Sequence, residues 1–197
     1  MELLIVRHGQ SVADLENRHE GRANFPLTSL GEEQANQVAT WIDDHYEIDH
    51  IISSPLRRAN TTANYIAGKV GGIVKQDDAL MEWNNGKLQG MLKTEAVDQF
   101  PLPQEGRKRH DDYYECESMI NFRARIETFW SKLLEVEAER ICIVAHGGTI
   151  NMLYQSFMNL PMDTNVTLHT GDTGVHLWQV KGGKRIIKYA NLQIHLG

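Results

Sequence analysis

Two histidines in this sequence each follow an apolar stretch and precede a glycine. His8 comes after Leu3–Val6 and Arg7, and His146 comes after Ile141–Ala145. Each apolar stretch predicts a buried strand, and ligands of open α/β sheets bind beyond the carboxyl ends of the strands. We therefore expect the two imidazoles to converge on one site. A neutral imidazole there could act as a nucleophile and carry a phosphoryl group.

Two adjacent arginines could supply positive charge to such a site. Arg57 and Arg58 follow the apolar pair Ile51–Ile52 and the dipeptide Ser54-Pro55, which predicts the start of a helix. A guanidinium group matches the oxygens of a phosphate, and a helix N-terminus adds a favourable dipole. Neighbouring residues point about 100° apart around a helix, so only one of the two arginines is expected to face the ligand.

One carboxylate lies in an apolar setting. Glu82 is flanked by Leu80, Met81 and Trp83, and burial there would suit it to act as a general acid near neutral pH. The turn-rich segment 21–28 follows His8-Gly9 in the sequence, and its place in the chain suits it to contact a substrate.

Alternating strands and helices must position these residues. Strands are predicted at about 3–6, 50–53, 72–75, 141–145, 174–180 and 185–190. Helices are predicted near 29–46, 54–67, 118–137 and 147–158, the first with a capping box formed by Ser29 and Glu32. This alternation indicates an α/β three-layer sandwich with a mostly parallel central sheet and helices on both faces. The last two strands form a predicted hairpin, so one edge of the sheet is expected to be antiparallel.

Length, charge and cysteine content limit the class of protein and its partners. The 197 residues suit one domain, with the weakly periodic residues 83–117 as a lid or specificity insertion. A net charge of −6 argues against nucleic acid or an anionic membrane surface as a partner. Two distant cysteines, no secretory pattern and no long apolar run favour a cytoplasmic protein. The oligomeric state stays open.

Four short segments occur in a set order along the chain. They are Arg7-His8-Gly9, Ser54–Ala59, Leu80-x-Glu82-x3-Gly86 and His146-Gly147-Gly148. The set resembles the motifs of the histidine phosphatase superfamily, the phosphoglycerate-mutase-like proteins, and the resemblance spans about residues 3–155. It implies the phosphoglycerate-mutase-like fold and a phosphatase-type member of the family.

The resemblance also implies a role for each candidate residue. His8 would be the nucleophile and Glu82 the general acid, and Arg7, Arg58 and His146 would also be catalytic. The residues that it implies for binding substrate are Arg7, Asp14, Asn17, Gly21, Arg58, His146 and Gly147. The family often has asparagine where this chain has Asp14. As an anion beside an anion site, Asp14 is expected either to point away or to contact a hydroxyl of the substrate.

These roles together describe one reaction. We expect metal-independent hydrolysis of a phosphomonoester through a phosphohistidine intermediate, as in a phosphatase of the histidine acid type. The substrate would be a small phosphorylated metabolite. No cofactor is required, because Arg7 and Arg58 supply the charge that phosphoryl transfer needs. The same two arginines disfavour the imidazolium form of His8, which must be neutral to attack.

Three other functions stay open at this point. A phosphoglycerate mutase would return the phosphoryl group to an acceptor hydroxyl, but the short stretch between Glu82 and His146 favours a phosphatase. A zinc hydrolase with these two residues and His8 as ligands conflicts with the nearby arginines. A silent module that binds phospho-ligands would need a blocked site, and turnover of an aryl phosphate would distinguish it.

Overall fold

The computed structural model describes all 197 residues. Its strands are β1 (Glu2–Arg7), β2 (His50–Ser53), β3 (Val74–Gln76), β4 (Arg140–Ala145), β5 (Val175–Lys181) and β6 (Lys184–Leu192). Its α-helices are α1 (Val12–Leu15), α2 (Ser29–His45), α3 (Arg57–Val70), α4 (Lys93–Gln99), α5 (Met119–Leu133) and α6 (Gly147–Phe157). None of these helices has both the length and the apolar character that crossing a bilayer requires.

All six strands belong to one sheet with the order β3-β2-β4-β1-β5-β6. Strands β1 to β4 are parallel, whereas β5 and β6 are antiparallel to their neighbours, which confirms the predicted antiparallel edge. The register pairs Arg7 with Ala145 on the neighbouring strands β1 and β4. The next residue on each chain is a histidine, so His8 and His146 leave the sheet side by side.

The two faces of the sheet bury separate cores, because side chains alternate along each strand. Leu3 and Ile5 of β1 pack with apolar residues of α5 and α6 on one face. Leu4 and Val6 of the same strand pack with α2 and α3 on the other face. Burial of each such side chain contributes about 1.5–3 kcal/mol. Helices on both faces and a central sheet make the three-layer sandwich that the sequence predicted.

Helix boundaries differ from the predictions at three places. Helix α3 begins at Arg57 rather than after Ser54, because the Ser54 hydroxyl accepts a hydrogen bond from the Leu56 amide and holds a turn there. The N-cap of α2 is Thr28, whose hydroxyl accepts from the Gly31 amide at 3.0 Å, and not Ser29. Helix α5 ends at Leu133, and the chain then turns so that residues 136 and 138 pack on the core.

Residues 83–117 contain little regular structure beyond α4 and two single turns of 3₁₀ helix. The two ends of the segment are tied together, since the Glu117 amide donates to the Asn84 carbonyl at 2.8 Å. At Gly86 the main chain passes very close to the main chain of residues 114–116. A Cβ at this position would lie 2.2 Å from the Tyr114 carbonyl oxygen. The segment is therefore closed on itself at its base, as an inserted loop must be.

Candidate active site

The two predicted histidines do converge. The ring centroids of His8 and His146 are 5.0 Å apart, and the rings are inclined by 60°. Both side chains are buried. Their proximity follows from the parallel pairing of β1 and β4, which ends at the same level on both strands.

Hydrogen bonds at both ring nitrogens fix the tautomer of His8. Nδ1 lies 2.7 Å from the Gly9 carbonyl oxygen, which only accepts, so Nδ1 carries the proton. Nε2 accepts from Nε of Arg58 at 3.2 Å. Burial, and then the charges of Arg58 and Arg7, hold the pKa of His8 well below its usual range. The imidazole is therefore neutral, with its lone pair on Nε2.

Arg58 lies on the buried side of α3 and is completely enclosed. Its two terminal nitrogens donate to the main-chain oxygens of Ala23 and Gly21, at 2.9 and 2.8 Å. These bonds aim the remaining Nε–H at His8. Arg57 is exposed, and its amide donates to the side chain of Asn24. The pair thus separates as the helical geometry predicted.

Arg7 lies at the end of β1, between two carboxylates. Its Nη2 is 3.2 Å from Asp14 Oδ1 and 3.3 Å from Asp172 Oδ1. Its Nη1 donates to the Thr170 carbonyl at 2.9 Å. Its buried Nε–H has no protein partner. The guanidinium group is therefore fixed at one end and retains a free donor.

His146 is held by Ser54, whose hydroxyl oxygen lies 2.8 Å from Nε2. The buried Nδ1 has no protein partner. Burial first, and then the charge of Arg58, lowers the pKa of His146 well below its usual range. The ring is neutral in the free protein, and a bound anion would favour its protonation.

Asp14 has its own contacts within the protein. Its Oδ2 accepts from the Ser11 amide at 2.9 Å, and its own amide donates to the Ser11 hydroxyl oxygen at 3.1 Å, so the two residues form a capping box on α1. Its Oδ1 pairs with Arg7. Asp14 also lines a cavity that opens at this end of the sheet. It therefore positions an arginine and borders the place where a substrate would lie.

Glu82 is held by polar donors, and not by the apolar enclosure that the sequence suggested. Its carboxylate accepts from the amides of Trp83 at 2.8 Å and Gly148 at 2.9 Å, and from the Thr149 hydroxyl at 3.3 Å. Gly148 and Thr149 belong to the first turn of α6, which also favours an anion. The carboxylate is thus fixed at the beginning of the helix that follows His146.

A methyl group at position 148 tests how finely Glu82 must be placed. A Cβ on Gly148 would lie 2.5 Å from Glu82 Oε1, so Gly148→Ala forces the carboxylate to move. We expect kcat for an alkyl phosphate to fall by roughly tenfold to a hundredfold, a part of what a general acid contributes. Steady-state phosphate release measures this effect. The control is Gly68→Ala, which places its methyl group in open space on α3; an equal loss in both variants would contradict the prediction.

The remaining predicted residues occupy different places. Gly21 lines the cavity and has a φ of +48°, which suits glycine. Gly147 begins α6 beside Arg7. Asn17 is exposed and does not line the cavity; its carbonyl accepts from the Lys93 amide at 3.1 Å, and its φ is +54°. Asn17 therefore lies in a turn that is hydrogen-bonded to the first residue of α4.

Two functional residues were missed by the sequence reasoning. Glu20 contacts both Arg58 and His8, although nothing marked it within the loop. Arg125 donates to the main-chain oxygen of Glu82 at 3.1 Å and forms a two-point ion pair with Glu117. A signal for Arg125 was present, because a charged residue three positions after Phe122 interrupts the apolar face of α5.

A cavity of about 300 Å³ opens at this end of the sheet. It is lined by Asp14, Arg18, His19, Glu20, Gly21, Glu82, Trp83, Asn85, Lys93 and Gly148. Its side chains are mostly polar, and Arg18 and Lys93 bring positive charge to its wall. The histidine, cysteine and carboxylate side chains form no group of three that could hold a metal ion.

Comparison with known proteins identifies the family of this chain. Residues 3–193 match the histidine phosphatase superfamily (branch 1). The chain is 32% identical over 169 residues to a probable phosphoglycerate mutase, GpmB, of Escherichia fergusonii, covering 82% of this chain and 76% of that protein.

Solved structures share the fold over nearly the whole chain. A mycobacterial glucosyl-3-phosphoglycerate phosphatase in complex with VO3 matches with a TM-score of 0.86 and 25% identity, over 96% of this chain and 98% of the other. A variant of a phosphoserine phosphatase from Entamoeba histolytica in complex with phosphoserine matches with a TM-score of 0.81 and 25% identity, over 99% and 98%. With its motifs, its fold and its match from residue 3 to residue 193, the chain belongs to the histidine phosphatase superfamily, branch 1.

Proposed function

We propose that this protein hydrolyses small phosphomonoesters through a phosphohistidine intermediate on His8. The observation that carries the proposal is the lone pair of His8 Nε2, held beside Arg58 by the hydrogen bond of Nδ1 to Gly9. A neutral imidazole fixed in this way is a nucleophile that needs no further deprotonation. The free donors on Arg7 and His146 would bind the oxygens of the phosphoryl group.

The reaction proceeds in two displacements. In the first, Nε2 of His8 forms a bond to phosphorus while the ester P–O bond breaks, and Glu82 gives a proton to the departing oxygen. In the second, the Glu82 carboxylate takes a proton from water, whose oxygen attacks phosphorus and breaks the P–N bond. Arg7 and Arg58 stabilise the charge that spreads over the phosphoryl oxygens in both transition states.

The cavity and the relatives support a small, anionic substrate. Its volume of about 300 Å³ is in the range of sites for small ligands. Arg18 and Lys93 on its wall would attract a second negative group of the substrate. The structural neighbours named above are phosphatases of glucosyl-3-phosphoglycerate and phosphoserine, which are small molecules of this kind. We assign residues 83–117 to substrate selection within a single domain, because Trp83, Asn85 and Lys93 line the cavity.

Phosphoglycerate mutase activity is the second candidate, because the GpmB proteins are named as probable mutases. Both reactions share the first displacement and differ in what accepts the phosphoryl group. Incubation with 3-phosphoglycerate separates them, since a phosphatase releases inorganic phosphate and a mutase forms the 2-isomer. Faster isomerisation than phosphate release would establish the mutase.

Glu82→Gln tests the proposed proton transfer. The variant keeps the size of the side chain and cannot donate the proton, so we expect a loss of roughly 10²–10⁴-fold for glycerol phosphate. The loss for 4-nitrophenyl phosphate should be much smaller, because its leaving group needs little protonation. Steady-state kcat/KM for both substrates measures the difference.

A matched control for this experiment is Glu115→Gln, whose exposed carboxylate pairs only with Lys87. It should leave both rates within about twofold. Equal losses on the two substrates in Glu82→Gln would contradict the role of Glu82. No turnover of the aryl phosphate by the unaltered protein would instead indicate a module that binds phosphate and does not hydrolyse it.

A further inference from the structure

Glu20 lies between the cavity and the nucleophile. It lines the cavity, and its Oε1 is 3.1 Å from Nε of Arg58 and accepts from the Ser11 hydroxyl at 2.5 Å. Its Oε2 is 3.7 Å from Nε2 of His8. A carboxylate oxygen therefore lies next to the ring nitrogen that the proposed reaction uses.

A phosphoryl group would need that same space. To be attacked by His8 Nε2 it must come into contact with this atom, and to be stabilised by Arg58 it must accept hydrogen bonds from the guanidinium group. Both positions are taken by the oxygens of Glu20. We propose that Glu20 is a built-in competitor for the phosphoryl group, which must be displaced before a phosphomonoester can bind. This inference rests on the proposed function, since it assigns the occupant of the same pocket.

The charges in the pocket explain why Glu20 must be displaced before a phosphate group can bind. Arg58 is buried and has Glu20 as its only carboxylate partner, whereas Arg7 is already paired with Asp14 and Asp172. A phosphate dianion added beside an ionised Glu20 would bring the negative charges near these two cations to five, since Asp14 and Asp172 are already paired with Arg7. Like charges at such distances repel by an amount worth tenfold or more in affinity.

Protonation of Glu20 would remove the negative charge that competes with phosphate. Burial raises the pKa of Glu20, although the charge of Arg58 opposes this effect. The charged and titratable groups that face it are Arg7, His8, Asp14, Arg18, His19, Arg58, Glu82 and Lys93. A neutral Glu20 no longer repels phosphate, so its competition should weaken as the pH falls.

Binding of inorganic phosphate tests the inference without any turnover. We expect Glu20→Gln to bind phosphate on the order of tenfold more tightly than the unaltered protein at pH 7.5, by isothermal titration calorimetry. The ratio of the two affinities should fall towards one as the pH is lowered, because Glu20 then becomes protonated in the unaltered protein. The titration of phosphate itself is common to both proteins and cancels in this ratio.

Two further variants make the experiment specific. Glu33→Gln removes the same charge from an exposed position on α2 that does not line the pocket; its phosphate affinity should stay within about twofold. Glu20→Ala removes the charge without adding an amide donor, and it should also bind phosphate more tightly. A thermal melt of each variant confirms that it is folded.

Each other outcome overturns the inference. Equal affinities in the unaltered protein and both Glu20 variants would mean that the carboxylate does not compete. Tighter binding in Glu20→Gln alone would assign the gain to the new amide. Weaker binding in both variants would make Glu20 a ligand of phosphate. Failure of all the proteins to bind phosphate would refute the proposed function as well, whereas equal binding would leave it intact.

Discussion

His8→Ala is expected to abolish hydrolysis, with kcat for an aryl phosphate falling by roughly 10⁴–10⁶-fold, as for removal of other nucleophiles. The reason is that the site has no second group to accept the phosphoryl unit. His146 is 5.0 Å away between ring centroids and is turned to Ser54 through Nε2. Glu82 is held by the N-terminus of α6. Neither can take over in-line attack at the position of His8 Nε2.

Rapid quenching with a ³²P-labelled ester measures this prediction directly. The unaltered protein should carry label that is lost in acid and retained in base, as expected of a phosphoimidazole, on the peptide that contains His8. His8→Ala should carry none. The exposed His110 lies in a loop away from the site, so His110→Ala should label normally. Label on any side chain other than His8 would refute the mechanism.

Arg58→Lys is expected to lower kcat/KM by roughly 10²–10³-fold, the usual cost of losing a preorganised donor to a developing anion. A lysine keeps the charge and has three N–H donors, but all three are on one nitrogen. This nitrogen cannot reach the Gly21 carbonyl, the Ala23 carbonyl and His8 together, as the three spaced nitrogens of Arg58 do. The substitution therefore loosens the loop and releases the ring nitrogen together.

The neighbouring arginine provides the control for this substitution. Arg57→Ala changes the same turn of α3 at an exposed side chain, and it should leave kcat/KM within about twofold. Steady-state rates with 4-nitrophenyl phosphate compare the two variants. Similar rates for Arg58→Lys and the unaltered protein would show that the fork geometry of Arg58 is not needed.

The strands and the convergence of His8 and His146 could be predicted because the sequence patterns that indicate them are local. Four or five apolar residues before Arg7-His8 and before His146 are enough to indicate buried strands that end at the site. The separation of Arg57 from Arg58 likewise follows from the pitch of one helix. Each of these features depends on residues within one turn or one strand of the residue concerned.

Other features depend on contacts between distant segments, and the sequence does not reveal these. Glu20 acts through Arg58, which is 38 positions away, and the support for Glu82 comes from Arg125. The sequence favours Ser29 as the N-cap of α2, because Ser29 and Glu32 match the capping-box pattern, but Thr28 takes this position through its bonds to residues 10 and 31. Such choices are decided by the packing of the whole fold and not by local propensity.

The position of β1 in the sheet also determines when His8, the proposed nucleophile, can be put in place during synthesis. This first strand is central, and it pairs only with β4 and β5, which begin at Arg140 and Val175. Contacts so distant in sequence close large loops and form late in folding. Most of the chain must therefore be synthesised before β1 can pair with β4 and β5 and bring His8 next to His146. Until then β1 remains unpaired.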